Sequence, residues 1–408
     1  MRVVNEAQLG AALGRCSGSD TRVVCSGNFA TPRTALAVVD EHLPAYRLFV
    51  LNAQHGVPER AGVVHETPFV GPGVRHSSRL AYVPARLSLV PGLFASAYRP
   101  DVVVLHTTPP RGGHVSLGIE VNILPAAIEQ ARQRGGLVIA QVNPQMPWTR
   151  GDAEVSTDLV DLVLEVDEPL VSPALRPPSD LESVIGGRVA ALVHDGATLQ
   201  IGIGGVPDAV MAALTERRGL RVWSEMVSDG VLGLVKADAL DPVDELVTSF
   251  LFGSPELYAW AADNPQLRML RTELTNDPAQ IARRPAMTSI NSALQVDLYD
   301  QANATWAGTH VHSGFGGQSD FVVGALHAPN GLAVVALPSW HPKADRSTIV
   351  PVLDTPVTSF QHSWVVTEQG SAAVWPGTTR EQARQLIGVA HPQAQDSLRE
   401  EAGIRGLL

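Results

Sequence analysis

The chain has 408 residues, of which 45% are hydrophobic and 17% are charged, and its formal net charge is −11 at pH 7. This composition predicts a globular protein of roughly two to three domains at about 150 residues each, and it excludes a disordered chain. The acidic balance argues against nucleic acid as a partner, because phosphate binding needs a basic field.

Cysteine usage and hydropathy bear on the compartment. Cys16 and Cys25 form no disulfide framework and no CxxC pattern, which favours a reducing cytoplasm. No basic segment followed by an apolar run is present at the N-terminus, and the longest apolar runs are far shorter than the ~18 residues that span a bilayer. We therefore expect a cytoplasmic protein with no membrane partner.

Strand and helix patterns alternate along the first half of the chain. Because the predicted helices separate buried strands, the pattern indicates a mostly parallel α/β sheet. A proline-rich stretch at 168–180 is the best linker candidate, so we expect domains at 1–178 and 179–408. The predicted elements are a helix at 4–15, a strand at 22–26, a tight turn at 27–32, a helix at 33–42, strands at 46–51 and 101–106, a helix at 120–134, and strands at 137–142 and 162–165.

The second half opens with the same order of strand, small-residue turn, proline and helix that residues 22–42 show. We interpret the two halves as structurally similar open α/β domains, although their sequence identity is too low to define a repeat. The predicted elements are a helix at 181–193, a strand at 197–203, a turn at 204–208, a helix at 209–217, a strand at 245–252, helices at 255–263 and 278–284, strands at 267–271 and 288–298, a helix at 321–325, strands at 332–338 and 364–367, and a helix at 379–389.

Residues 220–238, LRVWSEMVSDGVLGLVKAD, predict a short buried strand followed by a helix with Ser228 or Asp229 as N-cap. Glu225 then lies at the strand-to-helix turn, on the edge where open α/β sheets bind ligands. Taken alone, this carboxylate is either a structural anchor or a catalytic group. Two glycine-rich turns, at 202–207 and 313–320, favour the catalytic interpretation.

Glycine-rich turns let backbone N–H groups approach a ligand and direct a helix N-terminus toward negative charge. The GxGG of residues 202–205 is not the full dinucleotide pattern, so a nicotinamide enzyme stays a weaker alternative. The sequence has neither GxxxxGK[ST] nor GxSxG. His310 and His312 flank the second turn without partners at metal-ligand spacing, which favours a structural role.

Seven segments together carry a resemblance that covers essentially the whole chain. It resembles the acetyl-CoA hydrolase/transferase family, whose members include CoA-transferases. The segments are VVCSGNFATP (23–32), VNPQMPWTRGD (142–152), LQIGIGGVPDAV (199–210), SEMVSDGVLGLV (224–235), SINSALQVDL (289–298), SGFGGQSDFVVGA (313–325) and VVTEQG (365–370).

The resemblance implies two CoA-transferase α/β domains and a covalent role for Glu225. In such chemistry the carboxylate attacks an acyl-CoA thioester to give an acyl-glutamyl anhydride, and the CoA thiolate returns to make a glutamyl-CoA thioester. Backbone N–H groups of Ile203 or Gly204 and of Gly316 or Gly317 would stabilise the oxyanions. The implied CoA-binding residues are Gly202, Ile203, Gly204, Gly205, Val206, Gly316, Gly317 and Lys343, with Arg346 possible beside Lys343, and the implied residues near the acyl group are Asn291 and Glu368.

The family also implies coenzyme A as a substrate thioester, no permanently bound cofactor or metal, and a homodimer or higher oligomer. The chain departs from the family pattern at Asp300, Thr305 and Trp148, so its acyl preference is not inherited. We predict an acyl-CoA:carboxylate CoA-transferase. The alternatives are an acyl-CoA hydrolase, in which water reaches the intermediate, and a non-catalytic acyl-CoA binding protein.

Overall fold

The computed structural model describes residues 1–16, 18, 20–174, 176–314, 316–357 and 361–408. Leu175, in the linker candidate, and Phe315, in the second glycine-rich turn, lie outside the described residues. The chain forms two compact units. The first unit comprises Met1–Pro173, Leu246–Thr275 and Val311–Gly316, and the second comprises Ala174–Glu245, Asn276–His310 and Gly317–Leu408.

Neither unit is a single continuous segment of the sequence. The first break lies at 173/174, near the predicted linker, and two later segments return to the first unit. The division into domains at 1–178 and 179–408 stays a prediction.

The helices follow the predicted alternation with strands. None of them, in the part of the chain that is described, has the length of 18 residues and the apolar character that crossing a membrane needs. They are α1 (Glu6–Leu13), α2 (Arg33–His42), α3 (Val90–Ala95), α4 (Leu124–Arg132), α5 (Asp180–Leu192), α6 (Gly205–Ala213), α7 (Gly230–Lys236), α8 (Pro255–Ala261), α9 (Thr272–Thr275), α10 (Pro278–Ile281), α11 (Gln318–His327), α12 (Thr379–Val389) and α13 (Pro392–Ile404).

The main sheet of the first unit has eight strands, β1 (Arg2–Val3), β2 (Arg22–Cys25), β3 (Tyr46–Phe49), β4 (Val63–Thr67), β5 (Leu80–Tyr82), β6 (Val102–Thr107), β7 (Leu137–Val142) and β8 (Leu162–Glu165). Their order is β1-β8-β7-β6-β2-β3-β4-β5, and every pairing is parallel. Strands β2 and β6 are buried along their whole length. This agrees with their continuous apolar sequences, because a parallel sheet is covered on both faces.

The main sheet of the second unit has six strands, β9 (Thr198–Ile201), β10 (Arg221–Val222), β11 (Met287–Ser292), β12 (Leu332–Ala336), β13 (Trp364–Thr367) and β14 (Gly370–Ala373). Their order is β10-β9-β11-β12-β13-β14, and only the last pairing is antiparallel. Helices α12 and α13 pack a separate apolar core against this sheet. The predicted α/β class with mostly parallel sheets is confirmed.

Shorter strands complete both units. In the first, Leu246–Thr248, Leu267–Met269 and Arg150–Gly151 form a parallel sheet, and His114–Ser116 pairs with Glu154–Ser156. In the second, Gln295–Asp297 pairs with Ala302–Asn303 and Ile349–Val350, and Trp340–His341 pairs with Arg346–Ser347. The remaining strands are Met226–Val227, Phe250–Leu251, Trp306–Ala307 and His310–Val311.

Several predicted element bounds are wrong. The strand expected at 288–298 is two strands in different sheets, because the chain leaves β11 after Ser292 and begins a new pairing at Gln295. Helix α6 begins at Gly205 instead of residue 209, and α11 spans Gln318–His327 instead of 321–325. Strands β4 and β5 and helices α3 and α13 were not predicted.

Candidate active site

The backbone around Glu225 follows the predicted strand-to-helix turn. Strand β10 ends at Val222, Glu225 follows three residues later, and α7 begins at Gly230 after the N-cap Asp229. The neighbouring Ser224 hydroxyl lies 3.4 Å from both the N and the O of Ile201, the last residue of β9. The turn is therefore fixed beside the carboxyl end of β9, where a parallel sheet binds ligands.

The carboxylate of Glu225 is held on one side. Asn276 Nδ2 donates a 2.8 Å hydrogen bond to Oε2, whereas no described residue donates to Oε1. Burial raises the pKa of Glu225 to about 7, with a further increase from the negative charge of Asp320, and the Asn276 hydrogen bond opposes both. The side chain therefore changes its charge near neutral pH while one oxygen stays available for chemistry.

Gly317 is packed directly against this carboxylate. A Cβ added at Gly317 would lie 1.6 Å from Oε2 of Glu225 and 2.3 Å from Nδ2 of Asn276. A side chain at residue 317 would therefore have to displace the Glu225 carboxylate, because real Cβ contacts are essentially never shorter than 3.0 Å. Gly317 is also the N-cap of α11, so peptide N–H groups of the first helical turn lie beside the carboxylate. The structure thus brings together two of the predicted catalytic residues.

The first glycine-rich turn joins β9 to α6. Gly204 has φ 128° and ψ 176°, a conformation that requires glycine, and it is the N-cap of α6. Ile203 keeps 38% of its surface exposed, whereas Val206 is buried. The peptide groups at 203 and 204 are therefore open to a ligand, as the predicted CoA-binding role needs. Gly205 lies against Glu182 and Arg176, where an added Cβ would meet Glu182 Oε1 at 2.0 Å.

Asn291 lies at the same edge of the sheet as the first glycine-rich turn. It lies near the end of β11, and an added Cβ at Gly202 would be 3.7 Å from its Oδ1. Its Nδ2 donates to Ser289 Oγ at 2.9 Å and to Gln200 Oε1 at 3.1 Å, and its Oδ1 accepts from Gln200 Nε2 at 3.2 Å. The network fixes Asn291 at the edge that carries the glycine-rich turn, while its contact with substrate stays a prediction.

Glu368, Lys343 and Arg346 are the remaining predicted residues, and their surroundings differ from those of Glu225. The carboxylate of Glu368 accepts hydrogen bonds from the backbone N–H, at 2.8 Å, and the hydroxyl of Ser339. Burial acts to raise the pKa of Glu368, but these hydrogen bonds outweigh it and the pKa is lowered. Lys343 and Arg346 are exposed; Lys343 lies at the tip of the Trp340–Ser347 hairpin. The structure therefore shows Glu368 bonded to Ser339 and Lys343 exposed, and the roles expected of both residues stay predictions.

The second glycine-rich turn crosses from one unit to the other. Gly316 belongs to the first unit, is buried, and its carbonyl accepts a 3.1 Å hydrogen bond from the Leu87 N–H. Gly316 has φ 48°, which glycine adopts without strain. Gly317 belongs to the second unit, with Glu225.

The sequence interpretation did not identify Asn276 or Asp320 as site residues. Asn276 lies 51 residues after Glu225, between α9 and α10, and is fully buried. Its local sequence resembles any residue that precedes a helix N-cap, so no pattern indicates the contact. Asp320 lay inside the quoted glycine-rich segment, and its position in the first turn of α11 was the available signal.

The departures from the family pattern have local explanations. Asp300 has φ 61°, a region that glycine favours but aspartate tolerates. Its carboxylate accepts a 2.8 Å hydrogen bond from the His362 backbone N–H and lies 2.8 Å from the His362 ring Nδ1. Thr305 is buried and Trp148 is half-buried.

Among the described residues, no group of three or more histidine, cysteine, aspartate or glutamate side chains is arranged to hold a metal ion. What the site offers is the Glu225 carboxylate with Asp320 nearby, an amide donor and exposed peptide groups on a sheet edge. This set suits covalent catalysis by a carboxylate.

Comparison with known proteins decides the family. The acetyl-CoA hydrolase/transferase N-terminal domain matches residues 58–174, and the C-terminal domain of the same family matches residues 253–402. The chain belongs to the acetyl-CoA hydrolase/transferase family. Within this family, the 4-hydroxybutyrate coenzyme A transferase of Clostridium kluyveri is 38% identical over 354 residues, which are 83% of this chain and 81% of that protein.

Two further members show how much of the family fold is shared. The succinyl-CoA:acetate/propanoyl-CoA:succinate CoA transferase of Fasciola hepatica is 34% identical over 406 residues, 93% of this chain and 84% of that protein. The crystal structure of the 4-hydroxybutyrate CoA-transferase from Porphyromonas gingivalis is 32% identical, with a TM-score of 0.82, and covers 99% of this chain and 98% of that one. The resemblance seen in the sequence is confirmed.

Proposed function

We propose that this protein is an acyl-CoA:carboxylate CoA-transferase that works through Glu225. The observation that carries the proposal is a carboxylate on the sheet edge with a pKa of about 7, held at one oxygen by Asn276 and packed on Gly317. Membership of the acetyl-CoA hydrolase/transferase family supports it, since several similar relatives are named CoA-transferases.

The reaction begins when ionised Glu225 attacks the thioester carbonyl carbon of an acyl-CoA. A C–O bond forms, the C–S bond breaks, and the products are an acyl-glutamyl anhydride and the CoA thiolate. The thiolate then attacks the Glu225 carbonyl carbon of the anhydride and expels the first acid as its carboxylate. A second carboxylate attacks the resulting glutamyl-CoA thioester, and the same steps run in reverse, so the thioester energy is conserved.

Each of these attacks passes through a tetrahedral oxyanion. The peptide N–H groups at Ile203 or Gly204, and at Gly316 or Gly317, are the proposed donors, and losing one such donor typically costs about 10²–10³ in rate. We further propose that the turn Gly202–Val206 and Lys343 contact CoA, and that Asn291 and Glu368 lie near the acyl group. The turn and Lys343 supply neutral peptide groups and one cation, which suits the anionic CoA part of the substrate.

Hydrolysis is the second candidate, because the family includes hydrolases by name. It needs water to reach the anhydride or the glutamyl-CoA thioester. In a transferase the second carboxylate must capture that thioester before water does. The two activities therefore differ in how the same intermediate is consumed.

Trapping and partition measurements test the proposal. Incubation with acyl-CoA and borohydride should reduce the thioester at Glu225 to an alcohol, which peptide mass spectrometry locates. Transfer of CoA to labelled acetate should be faster than release of free CoA. Free CoA release that does not respond to acetate would assign a hydrolase, and unmodified Glu225 with normal turnover would contradict the covalent route.

The finer properties are also proposals. We propose that the enzyme acts in the cytoplasm as a homodimer or higher homo-oligomer, with CoA thioester as substrate and no permanently bound cofactor. A panel of acyl-CoA donors tested with acetate, butyrate, 4-hydroxybutyrate and succinate as acceptors would define the acids.

A further inference from the structure

Within the described part of the chain, one polar atom in each of two side chains at the start of α11 has no hydrogen-bond partner. Gln318 keeps 8% of its surface exposed and Ser319 keeps none. Across the described ranges, neither Gln318 Nε2 nor Ser319 Oγ makes a hydrogen bond. Buried polar atoms are normally paired, because an unpaired one has lost water without replacing it. An unpaired buried donor close to a reactive group is therefore a candidate for a contact with substrate.

The first turn of α11 flanks the nucleophile. Gly317, directly before Gln318, is the residue whose added Cβ would lie 1.6 Å from Glu225 Oε2. Asp320, two residues after Gln318, is near enough for its charge to raise the pKa of Glu225. Gln318 therefore belongs to the helical turn that also carries one residue packed against the reacting carboxylate and one whose charge acts on it.

A glutamine amide suits a donor role at this position. It offers two N–H donors and no charge, so it can bind a developing oxyanion without forming an ion pair with Glu225. A lysine or arginine there would neutralise the carboxylate and weaken it as a nucleophile. The Ser319 hydroxyl has one donor on a much shorter side chain.

We propose that the side-chain amide of Gln318 donates a hydrogen bond to the acyl oxygen of the substrate while that acyl group is bonded to Glu225. The inference rests on the proposed transferase function and adds a side-chain donor to the backbone donors of the glycine-rich turns. The bound group is the carbonyl oxygen of a short-chain carboxylic acyl group, which becomes an oxyanion as the carboxylate adds.

The test compares Gln318→Met, which keeps the length of the side chain and removes both donors, with Gln393→Met in α13 as a matched control. We expect Gln318→Met to lower kcat about 10- to 100-fold with little change in the KM for acyl-CoA. The melting temperature should stay the same or rise, since an unpaired buried amide is removed. Gln393→Met should keep kcat within about twofold, since Gln393 is an exposed residue of α13 with no assigned role in the site.

Glu225→Ala separates this inference from the function on which it rests. If Gln318→Met folds and keeps the wild-type kcat while Glu225→Ala is inactive, the proposed role of Gln318 is wrong and the proposed transferase function still holds. An active Glu225→Ala enzyme would remove the proposed function itself. If Gln318→Met does not fold, Gln318→Glu keeps the shape and removes the neutral donors: a slow, stable Gln318→Glu enzyme supports the inference, and a wild-type rate overturns it.

Discussion

Two glutamates, one in each unit, have similar acidity and different hydrogen bonding. Burial raises the pKa of both Glu225 and Glu120 to about 7. Glu120 lies beside the turn that follows β2, where Asn28 Nδ2 donates to Oε2 at 2.7 Å and Asn122 Nδ2 donates to Oε1 at 2.8 Å. The Gly27 peptide N–H adds a third donor.

Among the described residues, Glu225 has one such donor, Asn276. In both residues burial raises the pKa and hydrogen bonds oppose it, so the clearer difference is the number of donors that hold each carboxylate in place. A carboxylate whose oxygens both accept hydrogen bonds serves as an anchor for the loops that donate them. We therefore assign Glu120 to structure and Glu225 to chemistry, and the following experiments test that contrast.

The largest expected effect is on turnover. Glu225→Gln keeps the shape of the side chain but removes the nucleophile, so we expect CoA transfer to fall by about 10⁴-fold or more. Glu120→Gln should keep the rate within about tenfold. Steady-state transfer assays on both variants check this, with circular dichroism to confirm folding. Equal losses in the two variants would contradict the contrast.

The second effect is on the free energy of unfolding, and here we expect the larger loss from the substitution of Glu120. Glu120→Ala leaves the Asn28, Asn122 and Gly27 donors without their acceptor and opens a cavity. We expect it to lower the free energy of unfolding by about 2–4 kcal/mol. Glu225→Ala, which frees a single donor, should cost clearly less. Urea unfolding of both variants at pH 8 measures the difference, and a larger loss for Glu225→Ala would reverse the assignment.

The packing of Gly317 against Glu225 predicts that adding a side chain at residue 317 lowers the turnover rate. In Gly317→Ala the new methyl group must displace the Glu225 carboxylate, so kcat should fall about 100-fold or more. Gly388→Ala in α12 is the control, because an added Cβ there meets nothing within 4 Å and should stabilise the helix slightly. A Gly317→Ala enzyme with normal kcat would show that the carboxylate does not react from this position.

The smallest effect is on the pH profile. Since Glu225 must be ionised to attack, kcat/KM should rise about tenfold per pH unit below pH 7 and level off above it. The Asn276 hydrogen bond lowers the pKa of Glu225, so Asn276→Ala should move this limb to higher pH. Asn122→Ala, which alters Glu120, should leave the limb in place. If Asn276→Ala does not shift the acidic limb of the pH profile, the ionisation belongs to a group other than Glu225.

The contribution of Glu225 to the stability of the fold should decrease as the pH rises, whereas its contribution to the rate should increase. The folded-state pKa of Glu225 lies above its unfolded value, so the folded protein binds the extra proton between about pH 4.5 and 7. The neutral form contributes stability that is fully present below this window and is lost as pH rises through it. Glu225→Gln should therefore melt higher than the wild type at pH 8 and not at pH 4.

The sequence by itself determined the α/β class, the place of most strands and helices, the family, and the position of Glu225 at a strand-to-helix turn. These features follow from local patterns, since apolar runs, caps and glycine-rich turns act over a few residues. Tertiary structure decided the rest. It supplied Asn276 from a distance of 51 residues, packed Gly317 on the carboxylate, and divided 288–298 between two sheets. Contacts of this kind depend on the path of the whole chain, and no local pattern in the sequence records that path.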